Sequence, residues 1–312
     1  MRRLTGALLS QPRVSVIIPH LNQHAAAVRC LASLRAQSYP VDLIEIILAD
    51  NGSASLPTDL VAAAPHVQIV QESRPGPGMA RNAGVAVSKG DVLAFIDADC
   101  RAHPEWVAAA VAGLQASDAT GVVGGDVQID LADPEHLTGF EAYESVFAYR
   151  QKLYIEKMQF SGTGNLAMRR GVYDIVGPFA GIGIAEDRDW GRRACALGYP
   201  ARYVPGMIVY HPARTDMADM AAKWRRQTAH DLADYRAKGG GMAGWLVRTA
   251  AVLGITPLHA LRILASPRVP GLPARLRGIA TLFAIRGLRA REMQRQWMDG
   301  DHGGAAGWNR SA

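Results

Sequence analysis

The chain has 312 residues, enough for one large α/β domain plus an appendage, and with 49% apolar and 20% charged residues it is not globally disordered. Cys30, Cys100 and Cys195 are its three cysteines; they stand far apart without CxxC spacing, which argues against a disulfide framework or a zinc site and fits a reducing compartment. The net charge of +6 is unevenly split: residues 201–312 hold 17 Lys and Arg against 7 Asp and Glu, a balance of +10, and the first 200 hold 17 against 21, a balance of −4. An acidic half suits a metal, and a basic half suits phosphate-rich material such as lipid headgroups.

The N-terminus, MRRLTGALLSQPR, reads as a leader strand or tail rather than a cleaved signal peptide, because its apolar stretch is short. Val14–Pro19 is a continuous apolar run, as expected of a buried parallel strand. Val28, Leu31 and Leu34 follow at helical spacing, and Ser38-Tyr39-Pro40 stops that helix. Ile44–Ala49 and Val67–Val70 read as strands, Gly78–Ser88 as a helix after a Pro/Gly turn, and Val92–Ile96 as a strand running into Asp97-Ala98-Asp99. Alternation of this kind predicts an α/β fold with a mostly parallel central sheet and right-handed crossovers. Ligands of such sheets bind beyond the carboxyl ends of the strands, where Asp50 and Asp97 both fall.

Further along, a helix is expected with Pro104 at its first position, a strand over 121–129, and a helix marked by Phe140, Tyr143, Val146 and Phe147. Then come a glycine-rich Ser161–Asn165, a strand at Leu166–Met168, the acidic Ala185–Trp190 opening a helix, and a strand at Arg202–Tyr210. From about residue 213 the chain turns helical and basic. Ala221–Tyr235 is polar, Gly239-Gly240-Gly241 is a hinge, and Met242–Leu264 and Leu276–Leu288 are apolar but broken by arginines. The apolar segment between Arg248 and Arg262 is shorter than the ~20 residues a spanning helix needs. Two basic amphipathic helices on an anionic membrane surface are the expectation, with Trp245, Leu246, Leu282 and Phe283 as burying residues; packing on the catalytic domain or on a second subunit is the alternative.

Four groups of residues point to chemistry. Two carboxylates one residue apart at the end of a buried strand, Asp97 and Asp99, suit Mg or Mn, which also take substrate phosphates and would neutralise a leaving diphosphate. Asp50-Asn51-Gly52-Ser53 stands at the same sheet edge, although Asx-Gly after a strand is ordinarily a turn. The glycines of Gly78–Gly84 would let a helix begin close to a phosphate or base, with Arg81 as charge partner. Glu186 and Asp187, with Asp189 nearby, supply a general base for transfer to a hydroxyl if Trp190 roofs the site; acidic residues stabilising a helix N-terminus are the plainer reading. His211, after a strand, is either structural or a third metal ligand.

In order, VSVIIPHLN (14–22), LADNGS (48–53), GPGMARNAG (76–84), VLAFIDADC (92–100), GTGNLAMRR (162–170) and AEDRDW (185–190) resemble a family 2 glycosyltransferase with the GT-A fold, over about residues 13–212. The resemblance implies an inverting, single-displacement transfer from a nucleotide-diphosphate sugar, often a UDP-sugar. By position it puts Pro19 and Asp50 in the nucleoside pocket, Arg81 by the base or phosphates, Asp97 at ribose or metal, and Asp99 on the metal. It makes Asp187 the general base, sets Glu186 beside it against the acceptor, and puts Asn165 at the donor–acceptor junction. Two departures stand out. The usual DDGS reads Asp50-Asn51-Gly52-Ser53, and the QxxRW of processive synthases has only Lys223-Trp224-Arg225-Arg226-Gln227 as its nearest counterpart. Single-sugar transfer is therefore expected rather than polymerisation.

The resulting expectation is a catalytic domain over 1–212 and a membrane-associated helical region over 213–312. The acceptor would be lipid-linked or a cell-surface glycan precursor, reached at the cytoplasmic face of the membrane. No nucleic-acid partner is expected, and an oligomer stays open. A sugar-nucleotide nucleotidyltransferase is the alternative enzyme, but it should carry a glycine-rich basic loop where Pro19-His20-Leu21-Asn22 stands. A non-catalytic nucleotide-binding module would tolerate loss of Asp99 or Asp187, and both are present.

Overall fold

The computed structural model describes residues 11–56, 58, 67–116 and 120–299; the reading of the first ten residues as a leader or tail lies outside the described residues. In chain order the first half contains β1 (Val14–His20), α1 (His24–Arg35), β2 (Ile44–Asp50), β3 (Val67–Gln71), α2 (Pro77–Val87), β4 (Val92–Ile96), β5 (Arg101–Ala102), α3 (Trp106–Gln115) and β6 (Val122–Asp130). The second half contains α4 (Gly139–Phe147), α5 (Gln151–Met158), β7 (Asn165–Arg169), α6 (Arg170–Val176), α7 (Glu186–Ala196), β8 (Arg202–Pro212), α8 (Met217–Ala237), α9 (Met242–Gly254), α10 (Thr256–Ala265) and α11 (Leu272–Asp299).

The strands form one eight-stranded sheet in the order β3-β2-β1-β4-β7-β6-β8-β5. β1 pairs in parallel with β2 and β4, and β2 with β3, which is the parallel α/β arrangement the alternation predicts. Antiparallel strands extend it on one flank: β7 against β4, β6 against β7, and β5 against β8. The period of two sorts each strand's side chains between two cores. Val14, Val16 and Ile18 join α1 and α3 on one face, while Ile17 joins α2, α6 and α7 on the other. Ile46 and Leu48 split from Ile47, and Ala94 and Ile96 from Phe95, in the same way. Each fully buried aliphatic side chain contributes about 1.5–3 kcal/mol.

Several local readings shift. The helix expected from Pro104 starts at Trp106, with Pro104 and Glu105 in the turn before it. α5 and α6 are elements the sequence pattern did not suggest; α6 follows β7 without an intervening loop, so no turn residue marks its start. Glycines of the 78–84 stretch serve packing. A Cβ on Gly78 would lie 2.2 Å from the Ala180 carbonyl oxygen, and one on Gly84 would lie 2.5 Å from Ile17 Cγ2.

The chain divides into two compact units. Among the described residues, one comprises the chain up to Gln128 with Tyr149–His211, and the second comprises Ile129–Ala148 with residues 212–299. Thus α4, which precedes residue 212 in sequence, clusters with the C-terminal helices. The second unit is helical. Thr138 and Glu141 form a capping box at the start of α4, and Asp216 caps α8 through the amides of Ala218 and Asp219. Its core gathers Leu137, Tyr143, Met220, Ile263, Leu282 and Ile285. Glu144 is buried there with Arg214 Nη1 at 2.6 Å and Lys223 Nζ at 3.5 Å. Burial, then the charge of Arg214, brings Lys223 down to about 8 against the pull of Glu144.

Parts of the amphipathic reading are corrected here. Trp245 and Leu282 are core residues, and Arg286 is buried with its guanidinium 2.8 Å from His259 Nδ1, so none of the three is available to a membrane surface. Leu246 and Phe283 are exposed. α9 runs into α10 with only Ile255 between, and Met242–Ala265 is a 24-residue stretch of mean hydropathy 1.2 with 17% of its window buried. By length and composition alone it can cross a membrane, so the interruptions at Arg248 and Arg262 leave a stretch of spanning length.

Candidate active site

The carboxyl edge of the parallel strands carries the expected residues. In the β1–β2 register His20 stands opposite Asp50, 30 positions apart in sequence, and His20 Nδ1 lies 3.0 Å from Asp50 Oδ1 with both side chains buried. The second Asp50 oxygen accepts the backbone N–H groups of Gly52 and Ser53, each at 3.1 Å. Burial pushes the Asp50 carboxyl up, but the hydrogen bonds from Ser53, His20 and Gly52 together outweigh it and hold the group below its usual value. Pro19 is buried beside this pair in β1. Asn51, in the place of the family's second acidic residue, is a clamp: its amide donates to the carbonyls of Glu72 and Arg74, and its oxygen accepts from Gly76 N–H.

Arg81 does not face open space. Its side chain is 3% exposed, Nη2 donates to Asp97 Oδ1 at 2.7 Å, and Nη1 donates to Glu186 Oε1 at 3.0 Å. Arg81 bridges two carboxylates here, one from the end of β4 and one from the start of α7. Gly164 keeps that place open, since a Cβ there would lie 2.5 Å from Asp97 Oδ2.

Asp99, Cys100 and His211 come together: one ligand atom from each lies within 4.8 Å of the others, and His211 Nε2 is 3.5 Å from Asp99 Oδ2. Burial raises Asp99, and Asp97 adds to the rise against the opposing effect of His211. The Cys100 thiol is raised well above its usual value, by burial first and by Asp99 and Asp97 next, so it stays protonated. That leaves Asp99 and His211 as oxygen and nitrogen donors, a set that accepts Mg or Mn together with substrate oxygens. Asp97, committed to Arg81 through one oxygen, lies outside the Asp99–Cys100–His211 trio.

Asp187 sits in the first turn of α7 with Oδ1 accepting the Arg188 N–H at 2.7 Å. Burial first, and the neighbouring Glu186 second, raise its carboxyl to about 6. Asp189 is engaged by Arg193 Nε at 2.9 Å and is not equivalent. Trp190 does not roof the site; it is buried among Phe179 and its neighbours, with Nε1 donating to the Gly177 carbonyl.

Asn165 is fully buried, accepts from Trp106 Nε1 at 2.8 Å, and donates to the carbonyls of Asp126 at 2.7 Å and Met207 at 2.9 Å. With those groups bonded it ties β7 to α3, β6 and β8. The His20–Asp50 pair and the Arg81 bridge are what sequence reasoning missed. The aligned ends of VSVIIPH and IEIILAD held the only signal for the pair.

Comparison with known proteins follows this geometry. The Glycosyl transferase family 2 profile matches residues 15–177. The chain is 34% identical over 211 residues to the glycosyltransferase AglE of Haloferax volcanii, covering 65% of this chain and 68% of that protein. It is 27% identical over 230 residues to the probable glycosyltransferase YdaM of Bacillus subtilis, of which it spans 54%. Among solved structures, the mannosyltransferase PcManGT of Pyrobaculum calidifontis, in complex with GDP-Man and Mn2+, aligns with TM-score 0.61 at 18% identity over 96% of this chain and 92% of that one. GalNAc-T7 with UDP, GalNAc and Mn2+ aligns with TM-score 0.52 at 20% identity over 66% and 45%. These likenesses show the GT-A fold, and the profile and the AglE match show that the chain belongs to glycosyl transferase family 2.

Proposed function

We propose that this glycosyltransferase moves a single sugar, with inversion, from a nucleotide-diphosphate sugar to a hydroxyl acceptor, with Asp187 as the general base. The observation that carries the reading is the Arg81 bridge, which ties Asp97 at the end of β4 to Glu186 in the first turn of α7 and so brings the adjacent Asp187, whose carboxyl burial raises to about 6, to the strand-edge carboxylates. A base must be ionised near neutral pH yet basic enough to take a hydroxyl proton, and a carboxylate titrating near 6 meets both demands. His20 and Asp50 support binding of the nucleoside, and the Arg81 bridge holds Asp97 and Glu186 in fixed positions. Asp99 and His211, with Asp97 nearby, would hold Mg or Mn, which when bound stabilises the charge of a departing diphosphate. A UDP-sugar is the favoured donor. PcManGT, whose solved complex contains GDP-Man, keeps guanosine donors in view.

The catalytic domain is assigned to 1–212 and the helical region to 213–312, with association at the cytoplasmic face of a membrane and a lipid-linked acceptor. Supporting this, Met242, Leu246, Val247, Leu253, Leu258 and Leu261 are exposed apolar residues on α9 and α10, with Arg248 and Arg262 exposed among them. The opposite face is committed to the protein, because Trp245, Thr249, Thr256 and Ile263 are buried. One committed face favours lying on the surface over crossing it. The test is a donor screen: purified full-length protein with UDP- and GDP-sugars, in Mg and in Mn, read by nucleotide release. Metal-dependent release from one donor is expected; no release from any donor, with or without lipid acceptors, would overturn the reading.

A further inference from the structure

Tyr149 is a bulky residue in a conformation that L-residues avoid. Its φ is +39°, in the left-handed region that glycine and asparagine occupy easily and that strains a tyrosine. Its carbonyl accepts the Gln151 N–H at 2.9 Å, which fixes the turn just ahead of α5. The ring lies with its centroid 4.6 Å from that of His211, tilted by 37°. On its other side His211 presents Nε2 to Asp99 Oδ2 at 3.5 Å. The two rings and Asp99 belong to the same compact unit.

Partial burial of the ring against the sheet core offsets some of that backbone strain, and a glycine there would carry neither the strain nor the packing. What the tyrosine provides is an aromatic wall against one face of an imidazole. A histidine at a strand end rotates about two side-chain bonds, so without a wall Nε2 points toward Asp99 only part of the time. Groups that fix a ligating histidine from outside the coordination sphere commonly alter metal affinity by about 10- to 100-fold.

We propose that Tyr149 is a positioning residue that holds the His211 ring against Asp99, so that the divalent-cation site is formed before substrate arrives. This rests on the reading of Asp99 and His211 as metal ligands. The ring, rather than the phenolic hydroxyl, does the positioning, and the strained backbone is its cost.

The experiment measures Mn2+ binding to the full-length protein without nucleotide, by the loss of the free-ion paramagnetic resonance signal, alongside thermal unfolding. Wild type, Tyr149→Phe, Tyr149→Asn, Tyr149→Gly and His211→Ala are compared. Tyr149→Phe should bind within about twofold of wild type, and Tyr149→Gly and Tyr149→Asn about tenfold more weakly. Both weak binders lose the packing of the ring against the sheet core and should unfold at a lower temperature, while staying folded at the temperature of the Mn2+ titration. A purely structural tyrosine would give the same fall in unfolding temperature with unchanged Mn2+ affinity, which overturns the proposal while the metal reading stands. If His211→Ala binds Mn2+ as wild type does, the metal reading itself fails and the positioning role falls with it.

Discussion

Arg81 Nη2 lies 2.7 Å from Asp97 Oδ1, and the other terminal nitrogen of the same buried guanidinium lies 3.0 Å from Glu186 Oε1. One cation, 105 residues from Glu186 in sequence, thus joins the end of a strand to the start of a helix. Asp97 is 38% exposed and Glu186 21%, so solvent screens the two carboxylates left behind, and losing their shared cation costs about 1–3 kcal/mol. Arg81→Met should therefore lower stability by that order in urea denaturation. Arg81→Lys keeps the charge but not the fork, so it should fold, with stability between the two and with transfer reduced. Equal stability of all three proteins would show that the bridge contributes nothing.

Asn165 tests the reading of a structural tie. Asn165→Ala orphans the Trp106 indole N–H and the carbonyls of Asp126 and Met207, each lost buried partner costing about 1–3 kcal/mol. The expected result is a fall of several degrees in Tm with donor affinity of the folded protein unchanged, measured by calorimetry and nucleotide titration. Unchanged Tm with weakened donor binding would return Asn165 to the donor site.

The two shifted carboxyls give opposite pH dependences of stability. Asp187 is raised to about 6, so its ionised form disfavours the fold: the penalty is fully present above about 6 and fades as pH falls toward its unfolded value. Asp187→Asn should be more stable than wild type at pH 7.5, and the gap should close between pH 6 and 4. Asp50 is lowered, so its contribution is present above the ordinary carboxyl value and is lost as pH falls through the folded one. Asp50→Asn should be less stable than wild type at pH 7.5, with the gap shrinking only below about 4. Urea midpoints at intervals from pH 3.5 to 8 read both, and a gap of the same sign in the two variants would contradict the assignment.

For the helical unit, Leu258→Asp with Leu261→Asp alters two exposed residues of α10 and should abolish sedimentation with anionic liposomes at low salt without changing Tm. Trp245→Ala removes a buried side chain whose Nε1 donates to the Met293 carbonyl, and should cost about 3–5 kcal/mol. Liposome binding by the double aspartate variant equal to wild type would remove the membrane assignment.

The strands and the carboxylate positions were legible because a parallel sheet writes continuous apolar runs, and the residue after each run falls at the ligand edge. VLAFI followed by Asp97 and Asp99 is such a case. Side-chain direction was not legible. Asn165 follows a glycine-rich turn that suggests an open site, yet its amide turns inward to three protein partners. Trp190 lies three positions from Asp187 on α7, a spacing that puts both on one stripe of the helix, and yet its indole is buried with Nε1 on the Gly177 carbonyl. In α9 and α11 the apolar period was correctly seen, but Trp245, Leu282 and Arg286 face the helical core rather than solvent. Long-range pairs such as His20–Asp50 and Arg81–Glu186 depend on strand register and helix placement, which no local pattern encodes.

The central claim is that Asp187 takes the acceptor's proton. Turnover of Asp187→Asn, measured beside donor affinity once the donor is identified, tests it most directly. The account predicts a turnover loss of about 10²–10⁴-fold with donor affinity within about threefold of wild type, because the amide keeps the shape and removes the proton acceptor. Turnover near wild type would contradict it and move the base to another carboxylate.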